Sequence, residues 1–497
     1  MKFSLFVYVT ILLALLITLT YRINAYDIHE DIEDVSFDIE EVSFDGDKKD
    51  YYKVLKLSML FYEAQRSGEL RNNRIPWRDD SALQDAGWED EDLTGGYYDG
   101  HNYVKFGFTM AFTTTVLAWG AISWPEAFNI ANQLDEIRTT IKWATDYFIK
   151  CHVKENELYG QVGEFYLTET FWGRPEELPY DMYRPAYKIN PEHPGSDVAG
   201  ETAAALAVSS IVFKKVDPEY SAKCLKHARE IYTLANLYRD FYHKGIPNVQ
   251  KYYNNTDYGD ELAWAAIWLH KADSHFNYLN DAENHYQDFH LEKRPNEFSY
   301  NNKIAGVQML LAQLTGKLEY KIAVSDFCNF SVHHQTRTPK GLLYIDKLGT
   351  LSHAANVAFI CLVAADNEIG LSHQYYKFAK EQIDYILGLK AGRSYVVGYG
   401  INSPQQPYHI ASSCPHLPKW CGWKQYRKNE SNPQILYGAL VSGPNENDEF
   451  LDIRYEPDYT NVRIDYNAGF TCVLAKLLQL HSWRSCMSPF SYDRLFN

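Results

Sequence analysis

Asp99 sits in a glycine-rich turn, GGYYDG, three residues before Asn102, within residues 92–108 (DLTGGYYDGHNYVKFGF). A carboxylate there can take a proton from water. An asparagine amide is almost non-basic at its oxygen, so Asn102 can orient a water but cannot accept its proton. A second segment poses the same question: Asn461 precedes DYNAGF and shares a loop with Glu456 and Asp458. Such carboxylates are the material of general acid–base chemistry, whereas the amides beside them can only donate or accept hydrogen bonds. Asp99 has a structural alternative, as a turn residue satisfied by backbone N–H groups in a loop bent at Gly95, Gly96 and Gly100.

Aromatic residues are the other abundant functional material, with 39 tyrosines and 11 tryptophans in 497 residues. A pyranose ring offers axial C–H groups to a flat π surface, so such side chains suit sugar faces as well as cores. The chain is 46% hydrophobic, enough for a large core, and its mean hydropathy of −0.39 excludes a polytopic membrane protein. A formal net charge of −16 repels phosphate backbones, so nucleic acid is not an expected partner.

Residues 1–25, with Lys2, an apolar run from Leu5 to about Leu19 and Ala25 at the end of Ile23-Asn24-Ala25, read as a secretory signal peptide. An uncleaved anchor is the alternative, and only in that case is a membrane expected. Residues 26–50 are an acidic leader or linker in which DVSFD and EVSFD repeat. Sequons at Asn254, Asn329 and Asn429 fit a secreted, extracellular chain. Eight cysteines are spread thinly. Cys414 and Cys421 bracket a short loop and can pair in an oxidising compartment; Cys151, Cys224, Cys361 and Cys472 lie in apolar helical patterns as core thiols. No tight Cys/His spacing announces zinc.

The elements that must position these residues are helices. Apolar residues recur at three- and four-residue spacing from Tyr51 onward, around residues 134–148, and in eight further runs near 199–214, 219–240, 260–273, 303–316, 318–331, 353–366, 371–388 and 467–481. Long Gly-, Pro-, Asn- and Asp-rich loops, notably 159–196 and 389–465, separate them. Their length marks them as functional. About a dozen helices without sustained strand alternation predict an all-α domain over residues 51–485, followed by a tail at 486–497.

Ordered blocks across this domain resemble glycoside hydrolase family 9, the cellulases or endo-β-1,4-glucanases. Residues 77–81 (WRDDS), 134–152, 171–176 (FWGRPE), 184–189 (RPAYKI), 194–206 (PGSDVAGETAAAL), 260–264 (DELAW), 341–346 (GLLYID), 395–400 (YVVGYG), 438–444 (GALVSGP) and 465–470 (DYNAGF) occur in family order. The resemblance implies a double-layered (α/α)6 barrel that needs no cofactor for hydrolysis. It also implies that Trp172 stacks on a glucose ring, with Tyr97, Tyr98, Trp77 and Tyr187 in the same cleft. In some members, carboxylates equivalent to Asp260 and Glu261 bind calcium, although paired acids at a helix start also complement the helix dipole.

The family inverts β-1,4-glucan using one carboxylate base and one carboxylic acid. Where the family segment reads DAGDH, this chain has Asp99-Gly100-His101-Asn102-Tyr103, placing Asn102 at the base. Alignment on DYNAGF puts Asn461 at the acid, Arg463 at a small residue and Pro457 at an aromatic. In residues 404–410 (PQQPYHI), Tyr408 stands for the family's first histidine and Ile410 for its arginine, while His409 matches the second histidine. The expectation is a cellulase-like protein with lost or impaired hydrolysis that retains β-glucan binding. One alternative is an active inverting glucanase using Asp99 and an acid displaced to Glu456 or Asp458, which Pro457 opposes by stiffening the loop. The other is an extracellular structural or interaction protein that binds no sugar.

Overall fold

The computed structural model describes residues 48–166, 170–179, 181–246, 249–253, 255–275 and 277–486. The expected signal peptide, nearly all of the acidic leader, Asn254 and residues 487–497 lie outside these.

Burial sorts the helices into two layers. Some helices are apolar around their whole circumference. Every residue from 107 to 121 is buried in α2 (Gly107–Ser123), and every residue from 259 to 269 in α6 (Gly259–Ala272). Others bury one stripe. In α3 (Leu134–Cys151), Ile137, Ile141, Ala144, Phe148 and Cys151 recur on one face while Asp135, Glu136 and Lys150 remain polar. A helix buried all round belongs to an inner wall and a striped one covers it.

The remaining long helices are α1 (Lys48–Ala64), α4 (Ser196–Phe213), α5 (Pro218–Leu237), α7 (Tyr278–Asp288), α8 (Ile304–Thr315), α9 (Leu318–His333), α10 (Thr350–Asp366), α11 (Ser372–Ile386) and α12 (Ile464–Cys486). Contacts run α2–α4–α6–α8–α10–α12 and back from α12 to α2, which closes an inner ring of six. The odd-numbered helices pack outside: α3 on α2, α5 on α4, α7 on α6, α9 on α8, α11 on α10, and α1 on α12. The architecture is the (α/α)6 barrel. Its centre is a herringbone of Trp119, Trp264, Trp268 and Phe359, with Trp119 at 5.0–5.7 Å from the other three rings. At the α2–α12 seam, a Cβ on Gly120 would come within 2.3 Å of Cys472 Sγ, so only glycine lets the ring close there.

A small antiparallel sheet supplements the helices. In it β3 (Glu157–Val162) pairs with β1 (Lys105–Phe106), β2 (His152–Lys154) and β4 (Ala186–Ile189), with Phe106 opposite Gln161, His152 opposite Leu158 and Gln161 opposite Tyr187. Residues 159–196, expected as a long loop, contribute most of β3 and all of β4 to it. The sheet also fixes the end of the 92–108 loop against the barrel.

Candidate functional site

The inner helices begin at one end of the barrel, and the long loops converge there. Helix starts carry unpaired N–H groups and the positive end of the dipole, so this end favours carboxylates. Asp99, Asp197, Asp260 and Asp465 are all buried in it.

Backbone hydrogen bonds stitch three loop segments into one site. Ile464 N donates to Asp99 O (2.8 Å), Ile410 N to His101 O (3.0 Å) and Tyr408 N to Thr460 O (2.9 Å). Residues 99–102, 408–410 and 460–464 therefore meet, which brings together the positions expected to carry base and acid chemistry.

Asp99 is buried and fully engaged. Its Oδ1 accepts from the Thr109 hydroxyl, its Oδ2 accepts from the Tyr253 hydroxyl at 2.5 Å, and Arg463 Nε lies 3.8 Å from Oδ2. Arg463 Nε also donates to Asp465 Oδ1 at 2.9 Å. The guanidinium sits over the rings of Tyr253, Tyr300 and Tyr466, 4.9–5.3 Å from their centroids. Burial works against this charge, yet Asp465, Tyr253 and Asp99 hold the Arg463 pKa above the ordinary arginine value. Burial raises the Asp465 carboxyl, and the Asp99 charge adds to that against the pull of Arg463. Gly100 accommodates the plug: a Cβ there would stand 2.3 Å from Val462 O and 2.9 Å from Arg463 Cγ.

Asn102 Oδ1 accepts from Val104 N at 3.2 Å. Asn102 Nδ2, His101 Nε2, Asn461 Oδ1 and Arg463 Nη2 are buried polar atoms with no hydrogen-bond partner among the described residues. Such atoms are rare and call for water or a ligand. Tyr408 stacks on His101 at 4.2 Å, with Phe165 edge-on to the same imidazole. Burial, then the Arg463 charge, push the His101 pKa down to about 3, so the ring is neutral.

The other anticipated residues divide. Trp172 is 4% exposed, donates to Ser413 Oγ (2.9 Å) and packs against Tyr426, Trp423 and Tyr408. Tyr97 donates to Thr140 O and Tyr98 to Ser81 Oγ, both from the core. His409 is buried, with Nε2 beside Gln65 Oε1 and Nδ1 accepting from Ser412 N; burial, Arg78 and His101 push its pKa down to about 3. These four side chains support the cleft wall from within. Trp420, within the loop closed by the Cys414–Cys421 disulfide, and Trp423, just beyond it, are 71% and 39% exposed and present open aromatic surface that sequence reasoning did not single out. Asp458 pairs with Lys347 (3.0 Å). Asn429 is exposed, whereas Asn329 lies within α9 with its amide bonded to Ser325 and Tyr375.

The calcium expectation at Asp260 and Glu261 is corrected by Lys303. Its ammonium lies 2.5 Å from Glu261 Oε1 and 3.2 Å from Glu201 Oε2, and its backbone N donates to Asp260 Oδ2 at 2.6 Å. An internal cation already fills that carboxylate cluster, so its residues do not fit a calcium ion. On the flank of the barrel, His152, His227 and Glu230 bring three ligand atoms within 4.8 Å of one another, a cluster able to hold a metal ion.

Comparison with known proteins places these features in a family. Residues 51–474 match the model of glycosyl hydrolase family 9. The chain is 36% identical over 509 residues to Endoglucanase 10 of Arabidopsis thaliana, covering 96% of each. Among solved structures, the endoglucanase of the termite Nasutitermes takasagoensis is 51% identical with a TM-score of 0.85, over 87% of this chain and 99% of that one. Cellulase Cel9M of C. cellulolyticum in complex with cellobiose is 34% identical with a TM-score of 0.80, over the same shares. The chain belongs to glycosyl hydrolase family 9.

Proposed function

We propose that this family 9 chain is a secreted β-1,4-glucan-binding protein that has lost hydrolysis by the family's acid–base route. The observation that carries the proposal is Arg463. It is held between Asp99 and Asp465, so the one carboxylate retained from the expected constellation is paired with a fixed cation. Both oxygens of that carboxylate already accept hydroxyl hydrogen bonds, from Thr109 and Tyr253. The positions expected to supply base and acid are Asn102 and Asn461, whose amides transfer no proton. Of the two candidate displaced acids, Glu456 and Asp458, Asp458 pairs with Lys347.

Sugar binding is supported separately. The four unpartnered polar atoms offer donors and acceptors to hydroxyl groups, Trp420 and Trp423 offer faces to pyranose rings, and a relative of the same fold was solved with cellobiose bound.

The test is reducing-end release from carboxymethylcellulose and barley β-glucan by protein from a secretory host. Wild type is expected to match its Asp99→Ala control. The Asn102→Asp, Asn461→Glu, Arg463→Ala variant is expected to exceed it by about 10²-fold or more, the usual worth of one proton-transfer role. Cellotetraose is expected to raise the wild-type melting temperature. Wild-type turnover that Asp99→Ala abolishes overturns the loss of hydrolysis. An unshifted melting temperature at millimolar cellotetraose overturns the binding and leaves an extracellular structural role.

A further inference from the structure

His152 closes α3 at the start of β2, where its backbone N–H caps the helix on Phe148 O. His227 and Glu230 stand three residues apart on α5, the spacing that puts two side chains on one helical face. The fold brings the two elements together so that His152 Nδ1 and His227 Nδ1 are 2.8 Å apart, and Glu230 Oε2 is 3.8 Å from His152 Nδ1.

Two imidazoles that meet nitrogen to nitrogen have two solutions. One ring donates a proton to the other, or both lone pairs converge on a cation. We propose that His152, His227 and Glu230 form a site for a divalent transition-metal ion of the zinc class, which ties the end of α3 to the face of α5. Two neutral imidazole nitrogens and one carboxylate are a recurrent zinc set, with a fourth position left for water.

The surroundings agree with a ligand role. The second nitrogen of His152, Nε2, lies 3.4 Å from Glu155 O, and a ligating histidine characteristically gives its other ring N–H to such an acceptor. Nitrogens sharing a tetrahedral zinc at about 2.0–2.1 Å stand roughly 3.3 Å apart. The rings must therefore separate by about half an ångström, which His227, half-buried on the helix surface, has room to do. Glu230 is 31% exposed and leaves the open side toward solvent. Lys226, 3.9 Å from Glu230, is the charge that competes with the ion.

The experiment uses the full chain stripped with EDTA and titrated with zinc chloride by calorimetry in two buffers of different ionisation enthalpy, with cobalt(II) as an optical probe. The expected result is one strong site per chain, a higher melting temperature with zinc, no net proton release, since the donor ring only shifts its proton from Nδ1 to Nε2 when the imidazole–imidazole hydrogen bond is replaced, and visible cobalt bands of a tetrahedral site. His227→Ala is expected to weaken zinc at least about tenfold and abolish those bands, with Glu230→Gln between the two. Equal zinc affinity in wild type and His227→Ala overturns the site, as does a melting temperature that zinc leaves unmoved; the pair is then a hydrogen bond alone. If His227→Ala does not fold, Glu230→Gln on the helix surface decides, and an unchanged cobalt spectrum in it overturns the proposal.

Discussion

Lys303 and Arg463 are both buried cations set among carboxylates at the starts of inner helices, and they do opposite things to the space around them. Lys303 has no exposed side-chain surface, and neither do its partners Glu201 and Glu261. It joins the beginnings of α4, α6 and α8 in a cluster closed to solvent. Arg463 is 15% exposed, leaves Nη2 unpartnered, and lies among other unpartnered polar atoms. One cation braces the framework. The other joins Asp99 to Asp465 in the loops that bring Asn102 and Asn461 together. A buried charge pair is thus not a single kind of feature, and its meaning depends on what the surrounding groups still lack.

Removing each cation separates the two roles. Lys303→Met leaves Glu201 and Glu261 buried without their cation and is expected to cost about 3–5 kcal/mol. Arg463→Ala is expected to cost less, about 1–2 kcal/mol, because Asp99 keeps Thr109 and Tyr253 and the vacated volume meets the cleft. Urea unfolding of both variants measures the difference; equal losses would make Arg463 a brace as well.

The pH dependence sharpens the framework side. Burial pushes the Asp197 carboxyl up to about 7 against hydrogen bonds from Tyr242 N and Val198 N. An unfolded aspartate ionises near 3.9, while the folded one holds its proton up to about 7. The folded state therefore binds more protons across that window, and Asp197 makes stability fall as pH rises from about 4 to 7. Asp197→Asn is expected to flatten this by roughly 1–4 kcal/mol, read from melts at pH 4, 5.5 and 7. An unaltered slope places the titration elsewhere.

The smallest effect is expected outside both clusters. Lys347→Ala removes an exposed partner of Asp458 and is expected to change stability by less than about 1 kcal/mol and glucan hydrolysis not at all. A change in hydrolysis would return Asp458 to the list of acids.

Most of the barrel was legible because apolar residues recur at helical spacing in helices of both layers. The runs predicted near 219–240 and 371–388 are α5 and α11, and those near 260–273 and 353–366 are α6 and α10. Two helices gave no such signal. α2 is buried on all sides and contains Thr113-Thr114-Thr115, so it has no stripe, and α7 buries only Ala282, His285 and Tyr286. The sheet went unread because β1 has two residues and β2 three, too few to alternate. At the site, Asn102, Asn461 and Tyr408 were visible as residue types, and impaired proton transfer is what they lead one to expect. That Arg463 turns inward onto Asp99 is a matter of loop path, and the one local hint was the bare Gly100 beside it. The aromatic residues assigned to the cleft were legible as types only, since a tyrosine on a sugar and a tyrosine in a core have the same letter. His152 and His227 are 75 residues apart, beyond any local spacing rule.

The ring seals at α12, which packs against α1, α2 and α10 and is the last of the twelve helices along the chain. During synthesis, then, eleven helices emerge before the seam partner that joins them. The apolar flanks of α2 and α10 wait open for the whole interval, the condition under which incompletely folded chains associate with one another. A premature stop upstream of residue 464 yields no smaller barrel, only a gaping one destined for degradation.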